Sequence, residues 1–202
     1  LILSIIKLIL NTGAAVIISL LLNEIVSLGF KKTVQTIVYL PHFMSWVVVA
    51  SVFKMILDPN ATGVVNSLLL KANMINEPIY FLGDSKYWRG TFYVMNVWKD
   101  TGWGTILFLA TLSGISPDLY EAAQIDGANR WKRLIYITLP ALANTIITVF
   151  ILNLAKVMNL FESVFVTMNN AVLDVAEVLQ TYVYRKTFGS GNSDYGYTTA
   201  VG

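Results

Sequence analysis

Four long apolar runs dominate this sequence and decide what it can fold into. A helix needs about 20 mostly apolar residues to cross a bilayer, and the windows that qualify are 1–22, 35–57, roughly 90–115, and 141–161. A further span is predicted to begin near Tyr197. Of the 202 residues, 55% are hydrophobic and 13% are charged, which leaves too few polar side chains to cover a soluble domain of this size. The sequence therefore predicts an all-α membrane protein, a polytopic bundle of transmembrane helices.

The composition also excludes several classes of function. The formal net charge is +2 and the basic residues are scattered between apolar runs, which argues against nucleic-acid binding. Cysteine is absent, so disulfides, thiolate metal sites and cysteine nucleophiles are excluded. We predict no catalytic residue and no metal ligand. Because the chain opens on an apolar run without an initiator Met and stops just after a polar stretch, we expect it to be a fragment of one transmembrane domain.

Two short loops carry clustered basic residues and predict the orientation of the spans. These residues are Lys31 and Lys32 in the first loop, then Arg130, Lys132 and Arg133 in the second. Lysine and arginine in short loops favour the cytoplasmic side. The loops 58–89 and 162–194 are then expected outside. Aromatic residues near the ends of those outer loops suit either an interfacial belt or ordinary loop packing.

The polar stretch 116–140 begins with a helix start signal. Ser116 supplies a hydroxyl cap, Pro117 suits the first helical position, and the acid of Asp118 lies near the positive end of the helix dipole. We predict a short helix over 117–125. Ala122 and Ala123 remove bulk from one side of it, so that another backbone or a groove wall can approach closely.

A second short helix is predicted to follow over 128–139. Gly127 can take a positive φ and end the first helix, and Pro140 is expected to open the next span at its own first turn. From the residues alone, this hairpin either docks on a partner or lies on lipid headgroups with its basic residues touching anionic lipid.

The hairpin sequence LYEAAQIDGANRWKRLIYITLP resembles a family motif. Binding-protein-dependent ABC importer permeases carry EAA, three residues, Gly, nine residues, Ile, one residue and Leu-Pro. The positions that match are Glu121, Ala122, Ala123, Gly127, Ile137, Leu139 and Pro140, with Asp126 beside the glycine. The segments FKKTVQTIVYLPHFMSWVVVASVF, VWKDTGWGTILFLA and VAEVLQTYVYRKTF also resemble carbohydrate-uptake permeases, particularly the polysaccharide or lipoprotein transport subgroup, which is similar to alginate importer subunits.

This resemblance implies a fold, a location and a set of partners. It implies the type I ABC importer permease fold in a bacterial cell membrane, in which the hairpin is a coupling helix seated in a cleft of a cytoplasmic ATPase. The implied partners are a second similar permease, two ATPase subunits and an extracytoplasmic solute-binding protein. ATP and Mg²⁺ would be bound by the ATPase, because this chain lacks a GxxxxGK[ST] phosphate loop. The implied cargo is a carbohydrate, with an oligosaccharide expected.

Polar residues within the spans are candidates for lining the translocation path, because such residues are costly in lipid and usually face an aqueous route. They are Asn96, Lys99, Asp100, Asn153, Lys156 and Asn159, with Trp98, Trp103 and Phe161 as aromatic neighbours for a sugar. For Lys99 and Asp100 we favour a structural role, either as interfacial anchors at the outer end of a short helix or as an internal ion pair. On one continuous helix Asn153 and Asn159 would not share a face, because six residues turn it by about 600°.

The single histidine, His42, follows Pro41 in the second span. A proton relay or a metal site would need acidic or cysteine partners at ligand spacing, so we favour a packing or hydrogen-bonding role. Pro41 is expected to kink its helix.

Two other functions remain open from the sequence. A gradient-driven secondary transporter would also bind its cargo near the membrane midplane, but it would need no ATPase partner. A non-transporting membrane scaffold would use the hairpin only to bind lipid.

Overall fold

The regular secondary structure of the described part of the chain is entirely helical. The structure is a computed structural model, which describes residues 1–60, 63–189 and 195–201. These residues form helices and turns without a strand, which confirms the expected all-α class. Residues 190–194, at the end of the predicted outer loop, lie outside the described part.

The α-helices are numbered in chain order. They are α1 (Ile2–Asn23), α2 (Leu28–Tyr39), α3 (Trp46–Ile56), α4 (Val64–Lys71), α5 (Ser85–Ser113), α6 (Pro117–Ile125), α7 (Arg130–Arg133), α8 (Leu139–Leu154), α9 (Phe161–Phe165), α10 (Leu173–Ala176), α11 (Leu179–Phe188) and α12 (Tyr195–Val201). Two 3₁₀ turns occupy Leu40–Phe43 and Asn170–Val172, and a π-helical turn occupies Leu134–Thr138.

The chain forms two compact units. The first unit comprises Leu1–Lys7, Met44–Asn96 and Lys156–Gly202, and the second comprises Leu8–Phe43 and Val97–Ala155. In the first unit the core contains Trp88, Phe92 and Met95 of α5, which are fully buried. The indole N–H of Trp88 donates to the backbone oxygen of Thr167 at 3.1 Å, so the polar end of this large side chain is satisfied inside the core.

The second unit contains the hairpin, and small residues let its helices approach closely. Phe108 of α5 and Leu142 of α8 are fully buried in its core. The hydroxyls of Thr111 and Thr145 lie 2.9 Å apart, which joins α5 to α8. A Cβ added at Gly104 would lie 2.8 Å from the Cβ of Ala15, so α1 and α5 are in backbone-level contact there. Such contacts are typical of helix packing in membranes.

Two helices of the described residues are long and apolar enough to cross a membrane. They are Ile2–Asn23 and the continuous helix Arg130–Leu154, with mean hydropathies of 2.2 and 2.0. A third span is counted if the bent pair Leu28–Phe43 and Trp46–Ile56 acts as one. Helix α5 lies where the third span was predicted and is 29 residues long, but it does not meet the same requirement of composition. It includes the charged residues Lys86, Arg89, Lys99 and Asp100.

The continuous span predicted over 35–57 is two helices that meet at an angle of 106°. Pro41 has no N–H to donate to a carbonyl one turn earlier, and α2 gives way to a 3₁₀ turn there. Ser45 then starts a new helix, because its hydroxyl accepts from the N–H of Val48 at 3.3 Å. Pro41 therefore lies at a sharp break between two helices, not at a kink within one helix.

The fourth span was predicted to reach residue 161, but α8 ends at Leu154. Downstream, the N–H of Leu160 donates to the side-chain oxygen of Gln180 at 3.0 Å, and Leu160 has φ −123° and ψ 16°, outside the helical region. The Gln180 side chain, on α11, thus accepts from an N–H that would bond to a carbonyl four residues earlier if the helix continued. Asn153 is helical and Asn159 is not, so the comparison of their helix faces does not apply.

Candidate coupling site

Helix α6 begins and ends where capping chemistry predicts. The hydroxyl of Ser116 accepts from the N–H of Asp118 at 3.3 Å, and Pro117 occupies the first turn. The helix covers Pro117–Ile125, as predicted from the sequence. A nine-residue helix is short for stability by itself, so its caps and its contacts with the rest of the unit matter.

The turn after α6 is a Schellman motif centred on Gly127. Gly127 has φ +74°, the left-handed conformation expected for it. The N–H of Ala128 donates to the oxygen of Ala123 at 2.8 Å, and the N–H of Gly127 donates to the oxygen of Gln124 at 3.1 Å. These two bonds satisfy carbonyls that the helix end would otherwise leave free. The direction in which the chain leaves α6 is therefore fixed.

The second arm of the hairpin starts at a cap that the sequence analysis missed. The side-chain oxygen of Asn129 accepts from the N–H of Lys132 at 2.9 Å, so the helix starts at Arg130 rather than Ala128. Asparagine is among the preferred cap residues, and its position just before the basic run was the available signal.

This second arm continues directly into the membrane span. Pro140 lies in the first turn of α8, as predicted, but α8 is not a separate helix. The helix is unbroken from Arg130 to Leu154. It passes Pro140 by widening into the π-helical turn Leu134–Thr138, where the N–H of Leu139 donates to the oxygen of Leu134, five residues back. The wider turn accommodates the missing N–H and the bulk of the proline ring. One helix thus joins the hairpin to the bilayer-crossing segment.

A buried hydroxyl pair holds α6 against this helix. The hydroxyls of Tyr120 and Thr138 lie 3.0 Å apart, and Thr138 is buried. The Thr138 hydroxyl also lies 3.4 Å from the oxygen of Arg133, to which it donates. Tyr120 is therefore the donor in the pair. Tyr120 and Thr138 join the two arms of the hairpin and were not singled out from the sequence.

The residues of the EAA pattern divide into an exposed and a packed set. Glu121, Ala122, Asp126, Gly127 and Pro140 are exposed, whereas Ala123, Ile137 and Leu139 are half-buried. Two large apolar side chains of α6 are also exposed, Leu119 at 53% and Ile125 at 86%. With Ala122 between them at a spacing of three residues, they follow one side of the helix. The result is an apolar ridge with a low point at the alanine.

The two loops predicted to be cytoplasmic lie together at this end of the second unit. The guanidinium of Arg130 is 3.9 Å from the carboxylate of Glu24, which follows α1. Both side chains are largely exposed, so the pair contributes little to stability. Its importance is topological, because it brings the first loop beside the hairpin.

The candidate path residues of the second unit gather around His42. The ammonium of Lys99, only 6% exposed, donates to the backbone oxygen of His42 at 2.9 Å. The carboxylate of Asp100 lies 3.6 Å from the imidazole Nδ1. Trp103 stacks on the imidazole with ring centroids 4.9 Å apart. The imidazole is therefore packed against Trp103, whereas its Nδ1 is buried without a hydrogen-bond partner among the described residues. Trp98 and Asn153 are exposed elsewhere on α5 and α8.

The remaining path candidates lie in the first unit. Asn96 is fully buried, and its amide donates to the backbone oxygen of Phe92 at 2.7 Å. Asn159 lies 3.5 Å from the amide nitrogen of Gln180, and Phe161 begins α9. Lys156 is exposed in the turn after α8. Within the described residues, His, Cys, Asp and Glu form no group of three that could hold a metal ion.

Comparison with known proteins finds a matching family and similar sequences. Residues 5–190 match the family of binding-protein-dependent transport system inner membrane components. Protein LplB of Bacillus subtilis (strain 168) is 42% identical over 190 residues, which cover 94% of this chain and 58% of LplB. The polygalacturonan/rhamnogalacturonan transport system permease protein YteP of the same organism is 39% identical over 93% of this chain and 57% of YteP. The chain thus spans fewer than three fifths of the length of these relatives.

A solved structure has the same fold. It is the crystal structure of a bacterial ABC transporter involved in the import of the acidic polysaccharide alginate. One of its chains superposes with a TM-score of 0.91 at 36% identity, over 98% of this chain and 68% of that one. Together with the family match over most of the chain, this similarity leads to one conclusion: the chain belongs to the family of inner membrane components of binding-protein-dependent transport systems.

Proposed function

We propose that this chain is part of the permease subunit of an ATP-driven importer of carbohydrates, and that its α6 hairpin is the contact with a cytoplasmic ATPase. One observation carries the proposal: a helix capped at both ends exposes an apolar ridge, and the hydrogen-bonded turn at Gly127 joins it to a bilayer-crossing helix that is unbroken from Arg130 to Leu154. Displacement of such a hairpin is transmitted to the span, because two backbone hydrogen bonds close the turn and the second arm is itself the start of the spanning helix.

The surface of α6 supports a protein partner rather than lipid headgroups alone. Leu119 and Ile125 form two apolar projections with Ala122 low between them, which complements a cleft. Glu121 adds an exposed carboxylate that can pair with a basic group of the ATPase. A helix lying on anionic lipid would instead have basic residues on its polar face, whereas α6 carries Asp118 and Glu121 and no basic residue.

The orientation rests on two facts about the basic loops. Lys31, Lys32 and the basic residues of α7 favour the cytoplasmic side, and the contact of Arg130 with Glu24 brings both loops to one end of the second unit. The hairpin then faces the cytoplasm, where an ATPase subunit would reach it.

The names of similar proteins support a carbohydrate cargo. YteP is named for polygalacturonan and rhamnogalacturonan, and AraP of Bacillus subtilis, 28% identical to this chain, for arabinooligosaccharides. We propose an oligosaccharide as the cargo of this chain. We also propose a second permease and two ATPase subunits that bind ATP and Mg²⁺. The alginate transporter has been solved with a pentasaccharide-bound periplasmic protein, which supports a binding protein as the further partner.

The test is uptake by the complete importer in proteoliposomes, with full-length permeases, ATPase and binding protein. We expect uptake to require internal ATP and to survive collapse of ion gradients. Glu121→Lys should abolish both uptake and ATPase stimulation by the loaded binding protein. Glu77→Lys, the same charge reversal at an exposed acid of the first unit, should leave both intact.

Three results would reject the proposal. Uptake driven by an ion gradient without ATP would favour the secondary transporter. Normal uptake and stimulation in Glu121→Lys would remove the hairpin from the coupling contact, and a failure to recover any ATPase with the complex would favour the membrane scaffold.

A further inference from the structure

A cavity of about 540 Å³ lies between α9 and α11 in the first unit, apart from the coupling hairpin. Its lining comprises Met158, Phe161, Leu179, Gln180, Val183, Tyr184, Thr187 and Phe188. This volume is in the range of small-molecule sites, which combine apolar and aromatic walls with a few polar groups.

Three aromatic residues of the lining, Phe161, Tyr184 and Phe188, belong to a cluster of rings that also includes Phe165. The ring of Tyr184 lies 5.4 Å from Phe161, 5.0 Å from Phe165 and 5.3 Å from Phe188. Phe161 and Phe165 stack on each other at 5.1 Å, so each ring is held by its neighbours. Tyr184 is 39% exposed and Phe188 is 71% exposed. The cluster therefore presents uncovered ring surface that is already ordered.

Polar groups accompany the rings. The side-chain oxygen of Gln180 accepts from Leu160, and its nitrogen lies 3.5 Å from the Asn159 oxygen. These contacts hold the amide in place, yet its NH₂ group has two hydrogens and the Asn159 contact uses only one. Tyr184 and Thr187 belong to the same lining, and the Thr187 hydroxyl donates to the backbone oxygen of Val183 at 2.8 Å.

This mixture of groups favours a hydroxylated ligand over a lipid chain. An acyl chain offers no partner to an amide or a hydroxyl, and unpaired polar groups in hydrocarbon are costly. A pyranose ring offers both surfaces that the cavity needs, an apolar C–H face for the aromatic rings and hydroxyls for the Gln180 amide.

We propose that this cavity is a binding subsite for one pyranose unit of an oligosaccharide, with Tyr184 and Phe188 stacking on the sugar and Gln180 bonding a hydroxyl. The sugar class rests on the proposed function. The subsite itself uses none of the hairpin residues, so the two proposals fail separately.

The direct test is saturation-transfer NMR on the complete importer in lipid nanodiscs. The probes are tetragalacturonate and maltotetraose, which share pyranose C–H faces and differ in charge. We expect transfer to the ring protons of both probes, and Tyr184→Ala should raise their dissociation constants about three- to tenfold, the usual range for loss of an aromatic contact. Tyr184→Phe keeps the ring and should stay near the wild-type value. Phe30→Ala, at an exposed aromatic of the second unit, is the control and should bind as the wild type does.

A transport measurement separates this proposal from the proposed function. In Tyr184→Ala, sugar transported per ATP should fall while the loaded binding protein still stimulates hydrolysis. Absence of ATP-dependent uptake in the wild type would instead count against the importer assignment. The subsite is overturned by equal transfer in wild type and Tyr184→Ala, by no transfer to either probe, or by acyl-chain contacts at Tyr184 that neither sugar displaces.

Discussion

Gly127 gives a sharp quantitative test of the hairpin, because its role is purely conformational. A Cβ placed there would meet nothing within 4 Å, so substitution brings no clash. The residue has φ +74°, and an L-residue in the left-handed region costs about 1–2 kcal/mol. Gly127→Ala should therefore reduce the population of the closed turn relative to opened forms by roughly 5- to 30-fold.

A graded series of substitutions follows from the same geometry. Asparagine tolerates the left-handed region better than alanine, so Gly127→Asn should lie near the wild type. Gly127→Pro should be the most severe, because proline fixes φ near −65° and removes the N–H that bonds to Gln124. Asp126, with ψ 5°, is also in a conformation disfavoured before proline.

The assay is amide hydrogen exchange at Ala128, combined with sugar transported per ATP. The Ala128 N–H bonds to Ala123 across the turn, so its exchange reports on turn opening. We expect exchange to rise, and coupling to fall, in the order Asn, Ala, Pro. Gly90→Ala is the control, because its Cβ also meets open space but the glycine has no positive φ. Equal exchange in Gly127→Ala and the wild type would refute the conformational argument.

Three further predictions concern packing and capping. Gly102→Ala should destabilise the permease by about 1–3 kcal/mol or more, because the added Cβ would lie 2.1 Å from the backbone oxygen of Val38. Thermal unfolding in detergent measures the loss, and an unchanged unfolding midpoint would contradict the close contact. Tyr120→Phe should lower the stability of the hairpin by about 0.5–1.5 kcal/mol, because it removes the hydrogen bond to the Thr138 hydroxyl. We expect faster amide hydrogen exchange across α6, and unchanged exchange would mean that the hydroxyl pair does not hold the two arms together. Asn129→Ala should cost about 1 kcal/mol of helix stability, because the N–H of Lys132 loses its side-chain acceptor. Faster amide hydrogen exchange at Lys132 would report this loss, and Asn170→Ala, at an exposed asparagine of the first unit, is the control.

The capping signals in the sequence predicted α6 to the residue, because caps act through the side chains of immediate neighbours. The hydroxyl of Ser116 caps the start of α6, and Pro117 occupies its first turn. Gly127 ends the helix by taking a positive φ. The same chemistry could have located Asn129, which we overlooked. The EAA pattern was likewise visible from spacing alone, although spacing did not reveal which of its residues are exposed.

Long-range packing explains what the sequence did not predict. The break at Pro41 accompanies close contact of Gly102 with the backbone at Val38, a contact between distant segments. Helix α8 ends before Leu160, whose N–H donates to the side chain of Gln180, twenty residues later in the chain. Pro140 lies in the first turn of α8 as predicted, but the π-helical turn before it joins α8 to α7 without a break, which the sequence did not predict. The cavity between α9 and α11 depends on the same long-range packing, so from the sequence Tyr184 and Phe188 suited only an interfacial belt or ordinary loop packing.

The contact between α6 and the ATPase is tested most directly by a cross-link from Ala122. These 202 residues contain no cysteine, so Ala122→Cys introduces the one thiol of this stretch. In the assembled importer we predict a cross-link from this thiol to the ATPase, and protection from aqueous maleimide when the ATPase is bound. Glu77→Cys, in the first unit, should remain reactive and form no such cross-link. If the thiol at position 122 stays fully reactive with the ATPase bound and never cross-links to it, the hairpin is not the coupling element.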